Sequence, residues 1–247
     1  MRIRAVFFLL LMVSFTSCNN EEDAGAQSAV LSQVLAFYSD LQLDEVIACA
    51  ASKENDNLTS YIYYYPIPGA TNIQYFETDS ADLIPDNYNN YYEVKLPEED
   101  VFGGYLKRFV RSGDEEVYCI VTFQGDGKFY KSNPIRLKNR TKPTEYSSTI
   151  AIDQTQSLMP LFSWEDGQFL DNAIYFQVLS DASNNFISGT YTTEKSFQYY
   201  TLDNVVLDIN RTTPRDLILN QQYNFSMLAV SLDNWVNLVI ETPFIAQ

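Results

Sequence analysis

Three cysteines, thirty-two carboxylates and no histidine set the limits of what chemistry this chain can attempt. Without an imidazole there is no Ser-His-Asp or Cys-His relay, the commonest general base is missing, and most zinc sites lose a ligand. No glycine-rich loop of phosphate-binding spacing occurs either. Paired carboxylates are the remaining route to hydrolysis, in the manner of glycosidases. The candidates, Glu98-Glu99-Asp100 and Glu115-Glu116, fall in apparent turns, where a solvated acidic face is the plainer reading. The stretch Asp203 to Asp208 could offer oxygens to calcium but lacks EF-hand spacing. The expectation is no catalytic residue, no metal and no cofactor.

The cysteines stand in different settings. Cys18 closes the segment "MRIRAVFFLLLMVSFTSC", in which Arg2 and Arg4 precede an apolar stretch from Ala5 to Val13. That stretch is shorter than the ~20 residues a membrane-spanning helix requires, and it reads as a secretory signal. Thr16, Ser17 and Cys18 resemble the lipobox of bacterial lipoproteins, with Phe15 standing where leucine is usual. The resemblance implies a signal peptide over residues 1–17, removed by cleavage before Cys18, and lipid on that cysteine. Plain secretion, with Cys18 discarded, is the alternative. The next residues, "NNEED", place Glu21, Glu22 and Asp23 beside the anchor. This cluster is similar to the surface-export signal of lipoproteins in Bacteroidetes-type bacteria, and the resemblance implies display on the outer membrane. The alternatives are a solvated tether and a periplasm-facing anchor.

Charge narrows the partners. The formal net charge is −16, and removal of Arg2 and Arg4 makes the mature chain more acidic still. Nucleic acid, which is gripped through basic patches, is excluded as a partner on that ground. The expected contact with the membrane is the N-terminal lipid alone.

The elements that must carry any site are strands. Residues 18–43 read as the lipidated cysteine and a tether, with Val30, Val34, Phe37 and Leu41 at helical spacing for either a short helix or a frayed linker. From residue 44 the chain becomes short alternating runs such as "EVIACAAS", "TSYIYYYPI" and "EVYCIVTFQ", rich in β-branched and aromatic residues and broken by turns. Gln124-Gly125-Asp126-Gly127 is a hairpin signal. The polar, proline-interrupted "KNRTKPTEY" marks a boundary, giving domains over 44–140 and 141–247. About seven short strands per ~100 residues is the count of an immunoglobulin-like sandwich. The fold class expected is all-β, two such sandwiches in tandem.

A second resemblance sharpens this. "PLFSW", ending at Trp164, followed by "AIYFQVLSD", resembles strands B and C of fibronectin type III-like domains, where the tryptophan fills the core. Leu217 and Tyr223, in "LILNQQYNFSMLAV", resemble the core leucine and the tyrosine corner of that family. Leu219 and Asn220 replace its usual proline and glycine. "EVYCIVTFQGDGKFYKSNPIRL" looks like an F–G hairpin of the same fold, without a strand-B tryptophan to accompany it. Within such a sandwich, Cys49 and Cys119 would either pair across the sheets or remain two buried thiols.

"YIYYY" puts Tyr61, Tyr63 and Tyr65 on one strand face and Ile62 and Tyr64 on the other. The tyrosine row either stacks on sugars or a protein, or lies in the core with its hydroxyls wet. Two function classes follow. One is a surface module without catalytic activity that binds a glycan or an envelope protein; the other is a structural spacer in an outer-membrane complex. The first test falls on the anchor. Cys18→Ala should leave the precursor unprocessed and free of labelled fatty acid; acyl labelling at the wild-type level would remove the lipidation assignment.

Overall fold

The computed structural model describes residues 28–247. Cys18, Glu21, Glu22 and Asp23 lie outside the described residues. A short helix, α1 (Leu31–Ala36), comes first and seats Leu31 against Phe76, Tyr91 and Ile120. It is too short to persist alone, so this contact holds it. No helix among the described residues is long and apolar enough to cross a membrane.

The remaining elements form two β-sandwiches. In the first, one sheet runs β1 (Leu41–Val46), β9 (Lys128–Ser132), β8 (Tyr118–Gly125), β4 (Thr71–Glu77) and β5 (Tyr92–Glu93), with β10 (Ile135–Arg136) also on β8. The facing sheet runs β2 (Ala48–Lys53), β3 (Asp56–Tyr64), β7 (Leu106–Ser112) and β6 (Glu98–Val101). In the second sandwich, one sheet runs β11 (Glu145–Ser147), β19 (Val236–Ile245), β18 (Gln222–Ser231), β14 (Asn172–Asp181), β15 (Phe186–Thr192) and β17 (Val205–Asp208). It faces β12 (Ala151–Asp153), β13 (Leu161–Ser163) and β16 (Ser196–Gln198). The wiring repeats: β2, β3 and β7 face β9, β8 and β4 as β12, β13 and β16 face β19, β18 and β14, with the opening strand of each unit lying parallel to its last long strand. Leu41 already belongs to β1, so the first sandwich begins three residues before the boundary read at 44.

Alternation along the strands builds each core. Phe162, Trp164, Tyr175, Phe225 and Phe244 fill the second sandwich, where Trp164 is 4% exposed and stands edge-on to Tyr175. Below it the tyrosine corner closes: the backbone N–H of Ile218 donates to the Tyr223 hydroxyl at 3.0 Å. Asn220, at φ +65°, takes the left-handed position that a glycine would otherwise fill. In the first sandwich Asp126 and Gly127 both have positive φ, as the tight turn between β8 and β9 demands. Arg111, nearly buried, ties the two sheets together by donating from Nε to Glu77 at 2.6 Å.

The sandwiches are not joined end to end. The outer face of β2 and β3 (Cys49, Ala51, Tyr63, Tyr65) packs on the outer face of β14, β18 and β19 (Phe176, Val178, Leu228, Val239), forming a third apolar layer between the units. This is why both faces of "YIYYY" are apolar: Ile62 and Tyr64 enter the first core, while Tyr63 and Tyr65 enter the inter-domain layer.

The β18–β19 hairpin goes further. Trp235, fully buried, leaves its own domain and enters the core of the first sandwich beside Val46, Ala50, Val117 and Ile135. Its indole N–H donates to the Lys142 carbonyl at 2.8 Å. Ala50 N–H donates to the Asn234 carbonyl at 3.0 Å, and Arg136 N–H to the Asp233 carbonyl at 3.0 Å. The segment read as a polar boundary is stitched into both units. Thr144 accepts from Ser52 N–H at 2.9 Å through its hydroxyl, which donates to the Val236 carbonyl at 2.8 Å.

Burying an indole across a domain boundary couples the two units. Trp235→Ala should cost ~3–5 kcal/mol and destabilise both sandwiches in a single cooperative urea transition. A first sandwich that keeps its wild-type stability in this variant would show that the inserted ring does not complete its core.

Candidate binding site

The sheets that meet between the sandwiches do not close along their whole length. At one margin they part around a cleft of about 630 Å3, lined from the first sandwich by β3, β6 and β7 and from the second by β14, β18 and β19. Ala51 and Cys49 pack in the layer between the sheets, and the hairpin of β6 and β7 joins it through Leu106, Val101 and Tyr105.

That hairpin is made by charge. Glu99 lies opposite Arg108 and Asp100 opposite Lys107, so the acidic trio read as a turn is an edge strand neutralised by its neighbour. Arg108 donates from Nε and Nη2 to Glu99 at 2.8 and 2.6 Å, and its guanidinium lies 3.7 Å from the centre of the Tyr61 ring. The turn at the tip carries positive φ at Phe102, Gly103 and Gly104. Tyr105 leaves this turn, stacks flat on Phe186 at 3.6 Å, and donates to the Ile209 carbonyl at 2.8 Å.

Buried Phe176, Leu228 and Leu106 form the apolar lining of the cleft, and Tyr63, Tyr146 and Phe102 remain partly open within it. Polar groups ring the mouth. Asn224 donates to the Asn184 side-chain oxygen at 2.8 Å, fixing that amide. Ser226 lies directly across from Glu241 in the β18–β19 register. Glu241 is exposed at the mouth; partial loss of hydration, then the charge of Glu54, lift its pKa above the ordinary carboxylate value, against the pull of Arg108. It makes no hydrogen bond or ion pair with the described residues.

Other residues singled out by sequence lie elsewhere. Cys49 and Cys119 are free thiols in different layers, Cys49 in the inter-domain layer and Cys119 in the first core, so the disulfide considered for them is not made. Burial pushes the Cys49 thiol up to about 12 and raises Cys119 as well, which leaves both as inert apolar packing. Trp164, Leu217 and Tyr223 sit in the second core. Trp164 borders a second cavity of about 410 Å3, but its indole nitrogen is sealed and without a partner. Glu116 accepts from Thr141 N–H at 3.0 Å and anchors the boundary segment. Among the described residues no group of three or more acidic, cysteine or histidine side chains could hold a metal ion.

Arg108, Phe176 and Glu241 carried no local sequence signal. The clue available was that β14 and β18 are apolar on both faces, which in a sandwich means a second layer must cover the outer one.

No family model matches the chain, and no curated protein does. Among solved structures it is similar to a two-domain fibronectin type III segment from chicken tenascin. The identity is 11% and the TM-score 0.32, over 82% of this chain and 98% of that one. It is also similar to the first three fibronectin domains of chicken CNTN1. There the identity is 13% and the TM-score 0.31, over 84% of this chain and 68% of that one. The chain is all-β, a pair of fibronectin type III-like sandwiches. That assignment rests on its own strand order.

The raised pKa of Glu241 has a consequence for stability. Because folding favours its protonated form, this contribution is fully present below the unfolded value and is lost as pH rises through the folded one. Glu241→Gln should therefore melt higher than the wild type at pH 7, with the difference vanishing below about pH 4. Equal melting temperatures at both pH values would contradict the assignment.

Proposed function

We propose that this protein is a lipid-anchored binding module of the bacterial cell surface, without catalytic activity, whose ligand is a glycan or an envelope protein. The observation that carries the reading is the cleft between two sandwiches that share a core. Its walls are strand-borne and rigidly held, which suits recognition, because a preorganised site loses little freedom on binding. Mixed aromatic and polar lining with a volume inside the ~300–1,000 Å3 of small-molecule sites supports it further.

The absence of catalysis rests on the residue inventory. Histidine is missing from the whole sequence, and hydrolysis by carboxylates needs two free ones flanking the bond. In the cleft Asp100 shares Lys107 with Glu98, at 3.4 and 2.5 Å respectively, which leaves Glu241 alone. The anchor is Cys18, the acidic residues Glu21, Glu22 and Asp23 direct the protein outward, and the tether ends at α1. The spacer role has its own support: two sandwiches stiffened by a shared core make a firm strut.

The test is recovery of a ligand. The full chain, solubilised in detergent, should retain an oligosaccharide or an envelope component in glycan panels and host-envelope pull-downs, with no new reducing ends or peptides released. Release of product that disappears in Glu241→Gln would refute the non-enzyme reading. Failure to retain anything would leave the spacer role in its place.

A further inference from the structure

Resting on the binding reading, we propose that the inter-domain cleft is a saccharide site, selective for neutral or amino-bearing sugars over acidic ones. Sugars present two kinds of surface, a patch of C–H groups on the ring face and hydroxyls around its edge. The cleft has counterparts for both. Partly open Tyr63, Tyr146 and Phe102, over the apolar lining of Phe176 and Leu228, offer ring faces for the C–H patch. At the rim Glu241 has acceptor capacity that no described residue uses, and exposed Asn184 accepts from Asn224 through its side-chain oxygen, which leaves its amide N–H groups without a partner among the described residues. These are planar groups able to engage vicinal hydroxyls.

Charge decides between sugar classes. The cation at the cleft, Arg108, is neutralised by its paired hydrogen bonds to Glu99 and stacked against Tyr61. Glu241 adds an unpaired negative charge to the same opening, within a chain of net charge −16. A carboxylated or sulfated ligand would meet repulsion there, whereas an amino group would be welcomed by Glu241. Shape argues against a protein surface as the occupant. A stable protein interface needs ~800 Å2 from each partner over matched surfaces, and a recess walled by the β6–β7 hairpin admits a narrow ligand instead.

The experiment uses the full chain in detergent micelles with three oligosaccharide sets: neutral cello-, xylo- and malto-oligomers, amino-bearing chitosan oligomers, and acidic polygalacturonate oligomers. Calorimetry should detect binding to a member of the first two sets and none to the third. Glu241→Gln, which preserves the fold by the melting test above, should weaken that binding by about 10-fold or more, the loss of one charged hydrogen bond. Ser226→Phe, which fills the cleft from β18, should abolish it. Its folding is checked by an unchanged cooperative melt; if it fails to fold, Asn184→Gly, compatible with the positive φ there, replaces it with the same expected loss. Binding that ignores both changes would overturn the site and leave the module reading standing. Binding restricted to acidic oligomers would overturn the selectivity and the charge argument with it. A protein partner displaced by Ser226→Phe, with no sugar bound, would overturn the saccharide assignment alone. Silence of all three sugar sets and of the envelope pull-down would overturn both readings.

Discussion

One indole ring holds the molecule in its present form. Trp235 belongs by sequence to the second sandwich and by packing to the first. Withdrawing it would open a cavity in one core and free the hairpin that aligns two sheets. Around that insertion the units also meet through the backbone bond from Ala50 to Asn234, the packing of Cys49 and Ala51 with Val239, and the polar stitching through Thr144. Linked domains ordinarily move relative to one another unless their interface is large and apolar. Here the interface includes an interior, so the relative orientation of the two sheets is part of the fold.

That constraint explains the cleft. Two surfaces fixed at one margin by small residues and at the other by the Tyr105–Phe186 stack cannot collapse onto each other. The space between them stays open and is lined by whatever the outer strand faces present. Ion pairs hold the β6–β7 hairpin in place, although exposed pairs contribute little singly. Their effect is to satisfy Arg108 and Lys107 within the strand pair, which leaves the rim acidic.

Much of the architecture was legible in the sequence. Alternation gave the strands, the Gly-Asp-Gly run marked its hairpin, and the resemblance of Leu217 and Tyr223 to a fibronectin type III-like corner pointed to a bend that Asn220 completes with a left-handed backbone. What could not be read was which layers meet. Period-two alternation reports that a face is buried and is silent about the element that covers it. "YIYYY" was therefore ambiguous between a core row and an exposed platform, and the third possibility, a neighbouring domain, depends on residues more than a hundred positions away. Trp235 was hidden for the same reason, since in a hairpin turn an aromatic carries no local mark of its destination. Glu98 to Asp100 misled in the opposite sense: acidic runs suggest turns, yet cross-strand cations made this one a strand.

The shared ring also orders events in time. A chain emerging from the ribosome presents its N-terminal portion first, and domains generally fold as they appear. The ring that fills part of the first sandwich's core stands at position 235, so that core has its full set of side chains only after most of the second sandwich has appeared. A first sandwich made without residue 235 would hold a cavity in place of the indole, so its full packing is tied to the presence of the second.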